Sequence, residues 1–463
     1  MEAVSSHRSS RRERALVIAA VMIGTISTIL AATIVNVAFP AMMREMHIGH
    51  DTVQWVGTGF LAATTSTMLA TAWLTERFGE RATFLLVLAA FLAASILGAL
   101  AWNVESLITA RVLQGAAAGI LQPLGMIALF RVFPAEERGR AMGFFGMGVV
   151  LAPAIGPAIG GALVDAFGWR SIFLLTVPFC IAGLFIGRIA LPARRIAVRP
   201  AKFDWVGTLL LILALVTLLN IPVWGHREGW LAPLTIALAV LGVVLTASFI
   251  AWQLRSREAL LAVRLFEHAS FRGAALVAFA YGAGLFGSTY LVPVFVQDIA
   301  HFDAARAGSL LAPAGIALAI AMTVGGRLTD RSDARMIVVV GLALFALSSL
   351  LLAFSGATTG FWLLALWLVV GRLGLGMVMP ALNVGAVQAF TGPDLAYASS
   401  AVNFVRQLGG AVGVNVLAVL LEWRIAVHGP GDAVQAFHEC FAVVTLAFAL
   451  AIVPARSIRK PRR

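Results

Sequence analysis

The strongest constraint on this chain is its succession of apolar runs, each about 20 residues long and set off by short charged or Pro/Gly-rich breaks. That is the length a helix needs to cross bilayer hydrocarbon. Reading the runs in order gives fourteen predicted spans, among them 15–39, 53–73, 105–130, 141–164, 204–223, 232–253, 305–325 and 397–421. Composition agrees: 60% of the 463 residues are hydrophobic, 12% are charged, and mean hydropathy is +0.93. A soluble chain of this length lacks the polar coat to hide so much apolar surface, so lipid is the solvent for most of it. In a bilayer the backbone must satisfy its own polar groups, which predicts helices; the alternating period of a barrel strand is absent. The first run is too long for a signal-peptide core and no small-x-small cleavage site follows it, so it is expected to stay in the membrane.

A net charge of +12 raises nucleic acid as a partner, but the placement of the 34 Lys and Arg residues argues against it. With the N-terminus in the cytoplasm, most of them fall in cytoplasmic tails and turns, from Arg8 to Arg14 through Arg188 to Lys202 and on to Arg456 to Arg463. The outer turns hold only Arg44, Arg170, Arg227, Arg306 and Arg424, while Arg111, Arg372 and Arg406 fall inside spans. This bias puts both termini in the cytoplasm and spreads the charge as topology signals instead of one nucleic-acid patch. Cys180 and Cys440 are too few for a disulfide scaffold or a Cys-based zinc site. The histidines show no metal-ligand spacing, so neither metal nor cofactor is expected.

The chain also echoes itself. Leu74-Thr75-Glu76-Arg77 with Arg81 returns as Leu328-Thr329-Asp330-Arg331 with Arg335, each in a turn after a predicted span. A weaker echo pairs Arg111 and Gly115 with Arg372 and Gly376. Chance recurrence of short Gly/Arg turns is the alternative, but the match includes topology as well as residues, and duplicated six-helix halves are how many secondary transporters are built. The predicted plan is an all-α polytopic membrane protein of two pseudo-repeated six-helix bundles, 15–190 and 272–455. Between them, 191–271 is a linker with two inserted transmembrane helices, and 1–14 and 456–463 are cytoplasmic tails.

Several residues carry a physical meaning of their own. Gly79 permits a tight reversal, and Glu76 is suited to latch the halves by pairing with arginines at neighbouring helix ends. Arg77, Arg81, Asp330 and Arg331 complete the two turns, for which a merely solvated loop is the alternative. Gly156 and Gly160, followed by Gly161, form a small-xxx-small stripe. With Pro153 and Pro157 the same helix is expected to bend and pack against the other half, a gating role. A mid-span charge costs about 2.5–3.5 kcal/mol on insertion scales, which makes the intramembrane Arg111, Arg372 and Arg406 the sharpest signal. For Arg111 the alternative is a structural arginine capping nearby carbonyls; Arg406 and Gln407 either meet substrate or brace the halves, and packing is favoured for Arg372.

Four segments together resemble one family. Ala72-Trp73-Leu74-Thr75-Glu76-Arg77-Phe78-Gly79-Glu80-Arg81 is similar to the turn between helices two and three of the major facilitator superfamily. Arg111-Val112-Leu113-Gln114-Gly115 with Gly119 and Pro123 resembles its fourth-helix motif. Pro153-Ala154-Ile155-Gly156-Pro157-Ala158-Ile159-Gly160-Gly161 resembles the fifth-helix motif of its drug:proton antiporters. Thr33-Ile34-Val35-Asn36-Val37-Ala38-Phe39-Pro40 looks like the first-helix motif of the fourteen-span branch, and Arg406-Gln407-Leu408-Gly409-Gly410 like a feature of helix thirteen. The resemblance implies a multi-pass protein of a bacterial inner membrane that exports drug-like molecules in exchange for protons. It also implies a periplasmic adaptor as a partner beside the lipid bilayer, and a proton-coupling role for Arg111.

One departure matters. The branch carries an aspartate in helix one where this chain has Ala31, and none of the 22 acids falls in the middle of a predicted span. Arginine stays protonated and cannot carry the proton itself. Asp165, at the end of the fifth helix, is the expected carrier if it approaches Arg111; a solvated helix end is the alternative. Arginines without a fixed carboxylate favour neutral, zwitterionic or anionic amphiphiles over strictly cationic substrates. Expected cavity residues are Asn36, Gln54, Trp55, Gln114, Gln122 and Met126 from the first half. The second half offers Tyr281, Tyr290, Gln297, Asn383, Asn403, Arg406 and Gln407. Pockets for small molecules mix apolar walls with a few such polar groups. An uncoupled facilitator or importer competes with export. A membrane enzyme is disfavoured, because no intramembrane His/Asp cluster, Gly-x-Ser-x-Gly elbow or Walker loop is present.

Overall fold

In the computed structural model, which describes residues 11–192, 202–256, 258–429 and 432–458, every regular element is helical. The first half contains α1 (Arg11–Met46), α2 (His50–Thr67), α3 (Ala70–Phe78), α4 (Glu80–Ala99) and α5 (Val104–Val132). It continues with α6 (Arg138–Phe167), α7 (Ser171–Leu174) and α8 (Thr176–Ala190). A hairpin of α9 (Trp205–Glu228) and α10 (Pro233–Arg255) follows. The second half contains α11 (Ala269–Asp298), α12 (Ala304–Arg331), α13 (Ala334–Leu352), α14 (Phe361–Val387), α15 (Pro393–His428) and α16 (Ala433–Ala455).

Among the described residues 12 helices are long and apolar enough to cross a membrane, against the fourteen spans read from the sequence. The expected spans 53–73 and 141–164 are nonetheless helical, as α2–α3 and α6. The first is polar for a span: Thr64, Thr65, Ser66 and Thr67 each donate to the carbonyl four residues back, a pattern that bends helices. Met68 and Leu69 keep helical angles, so α2 runs on into α3. In α6, several side chains lie outside the described ones, those of Pro153 and Pro157 included.

Small residues set the packing distances. A Cβ on Gly115 would lie 2.2 Å from the Phe60 carbonyl oxygen, and one on Gly119 2.1 Å from that of Thr64. The glycines of the Arg111 segment therefore let α5 lie against the α2 backbone, where Thr64 donates to the Gly115 carbonyl at 3.1 Å and Thr67 to that of Ala116 at 2.8 Å. In the second half Gly376 of α14 plays the same part, 2.7 Å in Cβ terms from the Leu318 carbonyl of α12. The α9–α10 hairpin leans on both halves: Leu211, Leu215 and Phe249 cluster with Met68, Leu69 and Phe404. Its entry is pinned by buried Asp204, which accepts from the Gly207 N–H, Trp252 Nε1 and Gln253 Nε2, each at 2.8 Å. The hairpin's outer faces, with Leu209, Leu241 and Val243, are exposed, as lipid-facing helices require.

Candidate transport site

Two polar centres lie inside the bundle. Arg111 on α5 is only 1% exposed. Its Nε donates to the Val56 carbonyl at 3.0 Å, and its Nη1 donates to the Ala31 carbonyl at 3.1 Å and to Gln114 Oε1 at 2.9 Å. The guanidinium also lies over the Phe60 ring, 4.2 Å from the centroid. Gln114 Nε2 donates to Ser95 Oγ at 2.8 Å, and Thr176 Oγ1 donates to the same oxygen at 3.1 Å. One buried cation thus ties α1, α2, α4, α5 and α8 together, while its Nη2 has no partner. Among the described residues no carboxylate pairs with it. Ala31 offers a backbone carbonyl only, and Asp165 is exposed at the far end of α6. The expected approach of Asp165 to Arg111 is not made in this conformation: Asp165 stays exposed at the end of α6, while the buried arginine turns its Nε and Nη1 inward to α1, α2 and Gln114.

The second centre is the contact between the halves, on the face that carries the two repeated turns. Asp330, at the end of α12, accepts from the Gly139 N–H at 2.7 Å and the Arg140 N–H at 2.9 Å. A carboxylate there meets both the free donors and the positive dipole end of α6. Glu76, at the end of α3, holds the mirrored place, accepting from the Tyr397 hydroxyl at 3.4 Å near the start of α15. Burial pushes the Glu76 carboxyl above its ordinary value, with Tyr397, Asp394 and Arg264 around it. Between these latches the backbones touch: a Cβ on Gly326 would lie 2.3 Å from the Gly139 carbonyl oxygen. Further along, Thr323 Oγ1 meets Met147 Sδ at 3.7 Å and Asn403 Nδ2 meets Met126 Sδ at 3.5 Å.

Arg406 ends this series. Its Nη2 donates to Asn403 Oδ1 at 2.8 Å and, at 3.5 Å, to Gln122 Oε1 across the halves. At 1.5 Å rise per residue, Gln122 lies about 15 Å from the turn-face end of α5 and Arg406 about 20 Å from that of α15, close to mid-membrane. Among the described residues no hydrogen bond joins the halves beyond that level. Asn36, Trp55, Ile155, Phe286 and Gln297, nearer the opposite face, are exposed. The molecule is closed on the turn face.

The structure therefore brings Gln122, Met126, Asn403 and Arg406 together and assigns Gln114 to the Arg111 network. Tyr281 is fully buried, with its hydroxyl unpartnered. Tyr290 and Gln407 are half-buried, Asn383 is buried and Gln297 is exposed; none of them bonds across the halves. The side chain of Gln54 lies outside the described ones. Arg77 and Arg331 are exposed and Arg81 is half-buried, without a bond to the other half among the described residues. Two expectations change. Glu76 meets a tyrosine instead of an arginine, and the turn acid that pairs with one is Glu80, with Arg131. The Gly156–Gly160 stripe faces Thr33 and Ile34 of α1 in its own half; Gly139 and Gly143, at the start of α6, make the contact across to α12. Gly79 does take a left-handed φ of 79°, as the tight reversal requires.

Two helical halves closed around a buried polar contact at mid-membrane define a transporter-type membrane protein. The sequence model of the Major Facilitator Superfamily matches residues 21–414, and the chain belongs to that family. It is a multi-pass transporter and not an enzyme. The multidrug resistance protein B homolog of Mycobacterium tuberculosis is 32% identical over 397 residues, 85% of this chain and 73% of that protein. The methylenomycin A resistance protein of Streptomyces coelicolor is 30% identical over 452 residues, 96% of this chain and 93% of that protein. In fold, the chain is similar to the crystal structure of the human organic anion transporter MFSD10, with a TM-score of 0.70 at 17% identity, covering 96% of this chain and 99% of that one.

Proposed function

We propose that this transporter has fourteen spans with both termini cytoplasmic, sits in a bacterial inner membrane, and exports hydrophobic or amphipathic small molecules by alternating access in exchange for protons. The observation that carries the reading is the one-sided closure: latches at Asp330 and Glu76 hold the turn face shut, and the contact ends at Gln122 and Arg406 near mid-membrane. A site alternately exposed to the two sides is what secondary transport needs. Relatives about 30% identical carry multidrug names, which supports drug-like cargo and leaves a periplasmic adaptor as a further proposal. The exposure of Asp165 at the open-side end of α6 supports its reading as the carrier that takes a proton from outside. A second reading, an uncoupled facilitator, is favoured by one observation: Arg111 has a carbonyl of Ala31 where the branch has an acid.

Everted vesicles separate the two. Substrate accumulation that an imposed pH gradient drives and a protonophore abolishes, and that is lost in Asp165→Asn, supports exchange for protons. Movement indifferent to the protonophore supports facilitation, and an unaltered rate in Asp165→Asn removes that residue as carrier.

A further inference from the structure

Arg406 and Tyr281 leave donors unused in the place where the closed contact stops. The Arg406 side chain is 8% exposed, its Nη2 is taken by Asn403 and Gln122, and its Nε–H has no acceptor. Tyr281 is 0% exposed and its hydroxyl has no partner. The two sit on packed helices at one level: a Cβ on Gly282, next to Tyr281, would lie 1.9 Å from the Arg406 carbonyl oxygen. Tyr281 also lies within electrostatic reach of Arg406 and Arg372. Among the described residues no carboxylate pairs with Arg406. Buried donors left unmade are costly, and a buried cation without a counter-ion is costlier still. Both deficits have the same remedy, an acceptor oxygen that brings negative charge.

We infer that the transported molecule carries a carboxylate, which docks on the Arg406 guanidinium with the Tyr281 hydroxyl as a second donor, at the floor of the open side. The guanidinium edge presents parallel N–H groups matched to two carboxylate oxygens, a geometry an ammonium cannot copy. The free Nε–H shares that edge with Nη2, so the carboxylate takes the place of the long 3.5 Å bond to Gln122 while Asn403, at 2.8 Å, keeps the other Nη2–H and fixes the plane of the fork. When the carboxylate arrives, Arg406 no longer depends on Gln122 in the opposite half, so cargo binding weakens the contact that ends the closed face. The inference rests on the transport reading and narrows its amphipathic cargo to acids.

The test uses the full chain in lipid nanodiscs and three carboxylates, naphthaleneacetate, laurate and cholate, each beside its methyl ester. Calorimetric titration should show at least one carboxylate bound about tenfold more tightly than its ester, as expected for a charge-assisted bond. Arg406→Gln should erase the preference while leaving ester binding in place, and Arg406→Lys should keep part of it. Tyr281→Phe should lower carboxylate affinity about threefold, within the range of one neutral hydrogen bond, and leave the ester untouched. Esters bound as tightly as their acids in every pair, or a preference that survives Arg406→Gln, overturns the inference. So does equal loss of acid and ester binding in Arg406→Gln, which marks a structural role. Vesicle assays keep the two readings apart: ester export without acid preference leaves transport standing and sinks the carboxylate, while Arg406-dependent acid binding without export does the reverse.

Discussion

The two halves repeat a backbone plan but not its polar filling. Each half sends a turn acid to the start of a helix in the other, Asp330 to α6 and Glu76 to α15. Asp330 makes two short bonds to backbone N–H groups, and Glu76 makes one long bond to a hydroxyl. The arginines differ in the same way. Arg111 is buried and bonded to three groups, whereas its counterpart Arg372 is half-exposed with one 3.3 Å bond to Thr289. Duplication explains the shared placement. The divergence shows where each half is braced: the first by a buried arginine network, the closed face mainly by Asp330.

Breaking the arginine comparison should give the largest effect. Arg111→Ala removes charge-assisted bonds to two carbonyls and Gln114 and should cost about 3 kcal/mol, read as a lower melting temperature of the purified protein. Arg372→Ala should cost about 1 kcal/mol or less, and equal losses would erase the distinction. The latches come next. Asp330→Ala should weaken the closed form by about 2 kcal/mol and Glu76→Ala by under about 1 kcal/mol, seen as faster maleimide labelling of a cysteine placed at Thr323. The reverse order would mean that the hydroxyl bond outweighs the helix cap. The smallest effect concerns pH. The ordinary Glu value is 4.5, and burial raises that of Glu76 in the closed form. Both forms are protonated below that ordinary value; as pH rises through the raised value, closure must bury a carboxylate and loses stability. The closed population should therefore decline as pH rises through this window; burial raises Asp330 to about 6 with the same sign, so Glu76→Gln should remove only the Glu76 part of the response and leave that of Asp330.

Much of this plan was legible in the chain because the bilayer imposes length and hydropathy so strictly. Among the described residues twelve helices long enough to span, the left-handed Gly79 and the burial of Arg111 and Arg406 lie where the pattern put them. What escaped was direction around each helix axis. Small residues at Gly139 and Gly143 are as glycine-rich a stripe as Gly156 and Gly160, and spacing alone does not say which faces α12 and which faces α1. Partners distant in sequence were equally hidden: Tyr397, one of only 3 tyrosines, meets Glu76 from the opposite half. Ser95 and Thr176 gained meaning only through Gln114. Apolar periodicity also overstated α2, whose Thr64–Thr67 stretch spends its hydroxyls on carbonyls and makes a polar span.

The turn face is closed in this conformation and must open for transport. Met147 of α6 and Thr323 of α12 touch across it, and the native Cys180 and Cys440 are buried. Transport should be measured in vesicles bearing Met147→Cys with Thr323→Cys, before oxidation, after it, and after reduction. Loss of transport on cross-linking, with recovery under reductant, is the expected result. A cross-linked protein that transports at the unlinked rate would contradict it.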